Sequence, residues 1–300
     1  MTYLEKHKQL KKIVDKHIAA FTAIDSNIIT SEQSFSIPNS TQLLHFDSND
    51  NTFNQIFSLK SLEQKKAKRS YFHYKSFDLA YKFVEEGYFT ASALSNFIHS
   101  TGDVKEYEHF FEVTKIPYNQ AFIDSQRNNF FIFCLTESNQ IEKFWVDYVS
   151  DHKGVCFEFE FVDKQNLPYT FELRQICYDD GNDFRFYSEM QDEIYLNFNK
   201  YLLTPGIAKF GALYKRKKIF EWEKETRLLF NWGLYQQDLT NNSISEFTYD
   251  SKRYLKIPFD NNLFTLKIKN ITIGKNLSFC QNTRIKELAN KKGIAYTEEK

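Results

Sequence analysis

Cysteine, methionine and glycine are scarce in this 300-residue chain, which has four Cys, two Met and nine Gly. Cys134, Cys156, Cys177 and Cys280 form no Cys-x-x-Cys pair and have no His at ligand spacing, which argues against a structural zinc site. The first three lie in apolar, strand-like runs where Cys serves as a small buried hydrophobe, so reduced thiols are expected. Two Met leave no soft, Met-lined groove. No apolar run approaches the roughly 20 residues that span a bilayer, and the polar, Lys-rich N-terminus has no apolar core segment. The expectation is a cytoplasmic protein, neither secreted nor membrane-embedded. There is no internal repeat and no Gly-rich low-complexity tract.

Net charge is also lacking. Thirty-nine basic residues balance 39 acidic ones, so the whole-molecule field draws the chain neither to nucleic acid nor to anionic lipid. Any polyanion contact is local, and the densest basic run is Lys215-Arg216-Lys217-Lys218, read either as a solvated helix end or as a phosphate contact. The P-loop, Gly-x-Gly-x-x-Gly, Gly-x-Ser-x-Gly and His-Glu-x-x-His patterns are absent, which disfavours ATP-driven, Rossmann and zinc-hydrolase chemistry.

Aromatic residues are abundant. Thirty-one Phe and 18 Tyr point to a core packed from rings rather than aliphatic chains. Tyr3, Leu10, Val14 and Phe21 share a stripe that predicts a helix over 3–22, with His7 and His17 at or beside its edge. Between about 25 and 70 the periodicity fades into Ser, Asn, Gln and Asp. The chain therefore divides into an N-terminal helix with an irregular extension over 1–70 and a main domain over 71–300.

The main domain opens as β-α-β: a strand at Tyr71 to Tyr74, a helix from Asp78 to Glu86 ended by Gly87, and a strand from Tyr88 to Ser92. A helix covers 104–112 and an apolar strand Phe130 to Leu135. Asn139 and Glu142 are spaced as a capping box for a helix through Val149. Val155 to Phe161 alternates as a half-buried strand. Further elements are a strand at 171–178, helices near 187–203 and 207–217, strands at 225–232, 256–258 and 268–274, and a helix at 281–292. Strands run together with helices between only some of them, so the class is α+β with a mixed, largely antiparallel sheet, helical insertions and an N-terminal helix.

Chemistry concentrates in Phe220-Glu221-Trp222-Glu223-Lys224-Glu225-Thr226-Arg227, where acidic residues crowd the mouth of a strand. On extended backbone Glu223 and Glu225 project from one face and can divide acid–base and electrostatic roles. The alternative is a structural ion pair with Lys224 or Arg227. His73 is a candidate to bond a ribose hydroxyl or a core His bonded to backbone, while the flanking Tyr74 could stack on a flat ring. Trp145 and Tyr148 are core or a ligand platform, and Thr136 ends its strand with a hydroxyl. A nuclease holding Mg²⁺ on Glu221, Glu223 and Glu225 is a further reading.

Two resemblances join these motifs. Phe133-Cys134-Leu135-Thr136-Glu137, Phe144-Trp145-Val146-Asp147-Tyr148, Asp151-His152-Lys153-Gly154-Val155-Cys156 and Glu221 to Arg227, with the opening Phe72 to Ser76 and Glu85-Glu86-Gly87, resemble the bacterial family catalogued as domain of unknown function 2971. More distantly, a His on a first strand, a hydroxyl-bearing strand, and Glu225 heading a strand followed by Leu255-Lys256-Ile257-Pro258 and Ile271-Thr272-Ile273-Gly274 resemble the His-type ADP-ribosyltransferases. Thr136 stands where Ser is usual in both. The resemblance implies a sheet core of that type, NAD as cofactor bound by His73, Tyr74, Thr136 and Tyr148, and catalysis by Glu225 assisted by Glu223. It further implies a toxin or phage-defence effector acting on a macromolecule, nucleic acid or protein, with an antitoxin or self-association through residues 3–22. The alternative is a non-catalytic sensor or partner-binding module of a defence system.

Overall fold

A computed structural model describes residues 2–28, 30–37, 43–46, 52–60, 70–99, 103–116, 128–164, 170–204 and 207–299. In chain order the first elements are α1 (Tyr3–Thr22), β1 (Phe35–Ser36), β2 (Leu43–Phe46), α2 (Thr52–Lys60), β3 (Ser70–Ser76), α3 (Phe77–Glu86), β4 (Tyr88–Ala93) and α4 (Asp103–Thr114). Then come β5 (Phe130–Thr136), β6 (Gly154–Asp163), β7 (Phe171–Gln175), β8 (Cys177–Tyr178), α5 (Arg185–Phe198), β9 (Tyr201–Leu203), α6 (Ile207–Gly211) and β10 (Tyr214–Lys215). The chain continues through α7 (Lys217–Phe220), β11 (Glu225–Asn231), α8 (Trp232–Asn241), β12 (Ser245–Tyr249), β13 (Lys252–Pro258), β14 (Phe264–Ile273), α9 (Phe279–Lys292) and β15 (Ala295–Glu298). The α+β class with a largely antiparallel sheet is as expected.

The chain folds as two compact units that interleave in sequence. The first comprises Met1–Glu63, Phe97–Arg127 and Ile176–Glu221, the second Gln64–Asn96, Asn128–Gln175 and Trp222–Lys300. The crossing nearest the expected boundary at 70/71 is 63/64, and residues 97–127 and 176–221, expected in the main domain, group with the first 63. The proposed stop Thr204-Pro205-Gly206 lies partly outside the described residues, as does much of the 25–70 extension.

In the first unit α1 runs where its stripe predicts. Thr2 and Glu5 cap it reciprocally, and His7, Leu10, Ile13, Val14, Ile18 and Phe21 are buried. α5 of the same unit supplies the surface that stripe needs, with Gln9 bonded to Asn197 at 2.6 Å and Lys16 and His17 to Glu193 at 2.7 and 2.9 Å. Both nitrogens of His7 lie within hydrogen-bond distance of backbone carbonyls, Tyr3 at 2.9 Å and Phe35 at 3.0 Å, and the buried ring is part of the α1 packing. The helix expected over 207–217 is instead α6, the short strand β10 and α7, because Tyr214 and Lys215 pair in parallel with Cys177 and Tyr178.

The second unit is built on one ten-stranded sheet that forks at β5. One edge of β5 pairs with β11 from Thr136 opposite Glu225 to Phe130 opposite Asn231, and β7 lies beyond β11. The other edge is shared: β4 pairs at Phe131 and Ile132, whereas β3 touches only at Thr136 opposite Phe72. From β4 the sheet continues to β13 and β12, and from β3 to β6, β14 and the parallel β15.

Alternation of large rings decides which side is the core. Phe131, Phe133, Leu135, Phe157, Phe159, Leu228 and Phe230 face one buried cluster, where Phe83 of α3 meets Phe89, Phe133, Phe157, Phe159 and Phe259. Ring pairs at these 5.0–6.4 Å separations add to the hydrophobic gain of burial. α3 ends at Gly87, whose φ of 74° is the left-handed cap expected there.

Candidate functional site

The pleat of the second unit sorts the candidate residues onto two faces. Phe72, Thr136 and Glu225 are direct cross-strand partners in one row, so their side chains share a face. Tyr74, Cys134 and Arg227 lie two positions further along the same strands and share that face. His73 does not. Its ring lies 4.5 Å from Phe133 and 6.1 Å from Phe83, on the core side of the sheet. The convergence of His73 with Glu225 implied by the ADP-ribosyltransferase resemblance is therefore not formed.

His73 fills the fork instead. Where β3 diverges from β5, the Cys134 carbonyl accepts a hydrogen bond from His73 Nδ1 at 2.8 Å. That bond fixes the proton on Nδ1 and leaves Nε2 as a buried lone pair with no partner among the described residues. Burial, with the nearby Lys75 ammonium second, lowers the imidazole pKa to about 3. Lys75 shares that face, its Nζ 4.8 Å over the Phe83 ring, and burial lowers its pKa to about 8.

On the opposite face Glu225 is buried and forked by Arg227, with Nε to Oε1 at 2.7 Å and Nη2 to Oε2 at 3.3 Å. A matching pair stands on the next strand, where Arg174 Nε bonds Glu172 and Arg174 is the cross-strand partner of Arg227. Two Glu-x-Arg pairs thus stand side by side on β7 and β11 with their arginines directly opposite, and the repeated spacing in Glu172-Leu173-Arg174 and Glu225-Thr226-Arg227 is the sequence signal that could have found the second. Thr136 Oγ1 donates to the Glu223 carbonyl at 2.7 Å and the Glu137 amide to the Lys224 carbonyl at 3.2 Å, which fastens the acidic turn to the end of β5.

Tyr74 opens an aromatic cluster with Phe144, Trp145, Val149 and Cys156, with Phe72 and Trp222 packed against it. Tyr74 lies 5.1 Å from Phe144 and 5.0 Å from Trp145, and Phe144 in turn contacts Tyr148 and Trp222 at 5.0 and 5.1 Å. Tyr148 at this border is 57% exposed, the one candidate ring a solute could reach directly. Burial raises the Tyr74 phenol and the Cys156 thiol well above their ordinary values, so both stay neutral and Cys156 is not a nucleophile. The capping box expected of Asn139 and Glu142 is not formed. A π-helical turn over Phe144–Tyr148 follows, and Glu142 is turned toward His152.

The basic run lies in the first unit and is largely engaged. Arg216 forks Glu106, Lys217 pairs with Glu221 at 3.5 Å, and Lys215 is buried with its Nζ 5.1 Å over Phe220. The Mg²⁺ reading on Glu221, Glu223 and Glu225 finds no such cluster. Among the described residues the group close enough to hold an ion is Glu142, His152 and Glu299. Also among them, no helix is long and apolar enough to cross a membrane.

No protein-family model, curated protein or solved structure matches the chain. The family resemblances accordingly rest on the motif residues alone.

Proposed function

We propose that the chain is an NAD-dependent ADP-ribosyltransferase-like effector whose site occupies the face of β3, β5 and β11 that carries Tyr74, Thr136 and Glu225. The single observation behind this reading is that Phe72, Thr136 and Glu225 form one row of that face, bordered through Phe144 by the exposed ring of Tyr148. The fit to NAD is at its nicotinamide riboside end: Tyr148 offers a face for the flat ring and Glu225 a carboxylate for the sugar. Bound NAD supplies a glycosidic bond whose cleavage develops positive charge on ribose.

Glu225, gripped at both oxygens by Arg227, is oriented before reaction and stabilises that charge more than the ground state. Glu223 orients or deprotonates the acceptor. Thr136 contributes by positioning, since its hydroxyl is committed to the Glu223 carbonyl. Tyr74, buried on the same face, contributes by bracing Phe144, which borders Tyr148. With Arg216 and Lys217 of the basic run engaged in ion pairs and the net charge at zero, a protein acceptor is favoured over nucleic acid.

In a purified-chain assay, Glu225→Gln should abolish NAD consumption while leaving the fold intact, and His73→Gln should leave consumption within a few-fold. Undiminished consumption in Glu225→Gln rejects the assignment. A second reading, a non-catalytic partner-binding module, is favoured by one specific observation: Glu225 is only 4% exposed and closed in its pair with Arg227. A calorimetric titration of the wild-type chain with NAD that gives no heat selects this second reading.

A further inference from the structure

The side-chain group that the proposed reaction leaves unused is Glu142, His152 and Glu299. Its centre is unusually well fixed. Ser150, Asp151 and His152 all adopt left-handed backbone, with φ of 53°, 58° and 62°, closing the turn after the π-helix. The His152 amide donates to the Trp145 carbonyl at 2.9 Å, and the His152 carbonyl accepts from the Asn276 amide at 3.3 Å. Gly274 passes so close that a Cβ there would lie 2.2 Å from the His152 carbonyl oxygen. The imidazole, 3% exposed, lies against the Trp145 ring at 5.9 Å and 9° between planes.

Each ring nitrogen faces a carboxylate. Nδ1 lies 2.7 and 2.9 Å from the two oxygens of Glu299, so it carries a proton and donates, because an ionised carboxylate only accepts. Lys275 holds Glu299 in turn, through its amide at 3.3 Å and its Nζ at 3.5 Å. A neutral imidazole protonated on Nδ1 presents a lone pair at Nε2, and Glu142 Oε1 stands 3.2 Å away. Two acceptors do not face each other unless a cation lies between them.

That cation is either a proton or a metal ion. A charge-assisted N–H···O bond is typically about 2.7–2.9 Å. Two ligands on a tetrahedral zinc ion, with Zn–N and Zn–O near 2.0–2.2 Å, stand about 3.3 Å apart. The observed 3.2 Å lies at the long limit of an N–H···O bond, about 3.2 Å, and close to the second geometry. The hydrogen bond from Nδ1 to Glu299 is also the outer-sphere contact that metal-bound imidazoles characteristically make, fixing tautomer and raising ligand basicity. Glu142 is 70% exposed and has no Lys or Arg ion pair among the described residues, which leaves water access for the remaining coordination positions.

We propose that Nε2 of His152 and the carboxylate of Glu142 form a binding site for a divalent cation of the Zn²⁺ class, with Glu299 a positioning residue acting through Nδ1. One imidazole nitrogen and one carboxylate oxygen suit Zn²⁺ or Co²⁺ rather than Mg²⁺ or Ca²⁺, which prefer all-oxygen shells. The proposal does not depend on the NAD reading.

The test uses the full, tag-free chain stripped with chelator, titrated with Zn²⁺ by calorimetry and with Co²⁺ by visible absorption. One equivalent should bind, with Co²⁺ giving the intense bands of a four-coordinate site. Glu142→Gln, at an exposed position that leaves the fold intact, should weaken binding at least tenfold, and Glu299→Gln by about 10–100-fold. No heat and no band at millimolar metal, or binding unchanged in Glu142→Gln, overturns the proposal. So does ¹⁵N spectroscopy with metal present that finds both His152 nitrogens still protonated.

Discussion

The pH dependence of stability offers a quantitative check on where His73 sits. The imidazole is lowered from 6.5 to about 3 in the folded chain, so the unfolded chain binds the proton more tightly. With a depressed base, the stability contribution is intact above the unfolded pKa and is lost as pH falls from 6.5 toward 3. Integrating the difference in proton binding, unfolding free energy should drop by about 2 kcal/mol between pH 7 and pH 5, and by about 3 kcal/mol by pH 4, from this residue alone. Lys75 does not contribute to that slope: its folded pKa near 8 lies above the window, so it is charged in both states throughout. Comparison with His73→Gln removes the contributions of all other groups. The amide of Gln can still donate toward the Cys134 carbonyl but cannot titrate. Urea unfolding at pH 7, 5 and 4 should therefore give a wild-type curve steeper than the variant's by these amounts. If Gln proves too unstable, His73→Phe, which packs between Phe83 and Phe133, serves the same comparison. Parallel wild-type and variant profiles would refute the buried, neutral imidazole at the fork.

Two further perturbations test other parts of the second unit. Arg227→Met leaves the Glu225 carboxylate buried without its fork and should destabilise by about 3–5 kcal/mol, whereas Arg227→Met combined with Glu225→Leu should recover a large share of that loss, since apolar replacement of both members of a buried pair is often tolerated; additive effects in denaturant melts would argue that the two do not interact. Gly274→Ala places a methyl group 2.2 Å from one backbone oxygen and 2.7 Å from another, neither able to swing aside, and should destabilise by at least about 1–3 kcal/mol by thermal melting, with a loss of divalent-cation binding at His152 if that loop shifts.

Elements were legible where a single local rule governed them. The stripe in α1, the Gly87 cap after α3 and the Val-Phe-Phe-Phe alternation of β6 each settle an element without help from distant residues. Faces were harder. That His73 looks toward Phe133 while Tyr74 looks toward Phe144 depends on the register of β3 against β5 and β6, a pairing between residues 64 to 90 positions apart that no local pattern encodes. Tertiary competition accounts for other differences: Glu142 had the spacing of a capping residue, yet its carboxylate is taken by a histidine ten residues later. The Glu225–Arg227 pair was foreseeable from strand spacing, but its twin at Glu172 and Arg174 gained meaning only once β7 was known to lie beside β11.

The interleaving of the two units constrains how this polypeptide can be made and cut. Neither unit owns a continuous stretch: the first is complete only when residue 221 has left the ribosome, and the second waits for the strands that follow it. Contacts such as Gln9 with Asn197, 188 residues apart, demand closure of very large loops, which slows assembly and lengthens the time that Phe-rich strands remain uncovered. An excised fragment beginning near residue 71 would inherit pieces of both units and the whole of neither. Truncation is thus a poor tool for this molecule, and early termination products are its natural aggregation hazard.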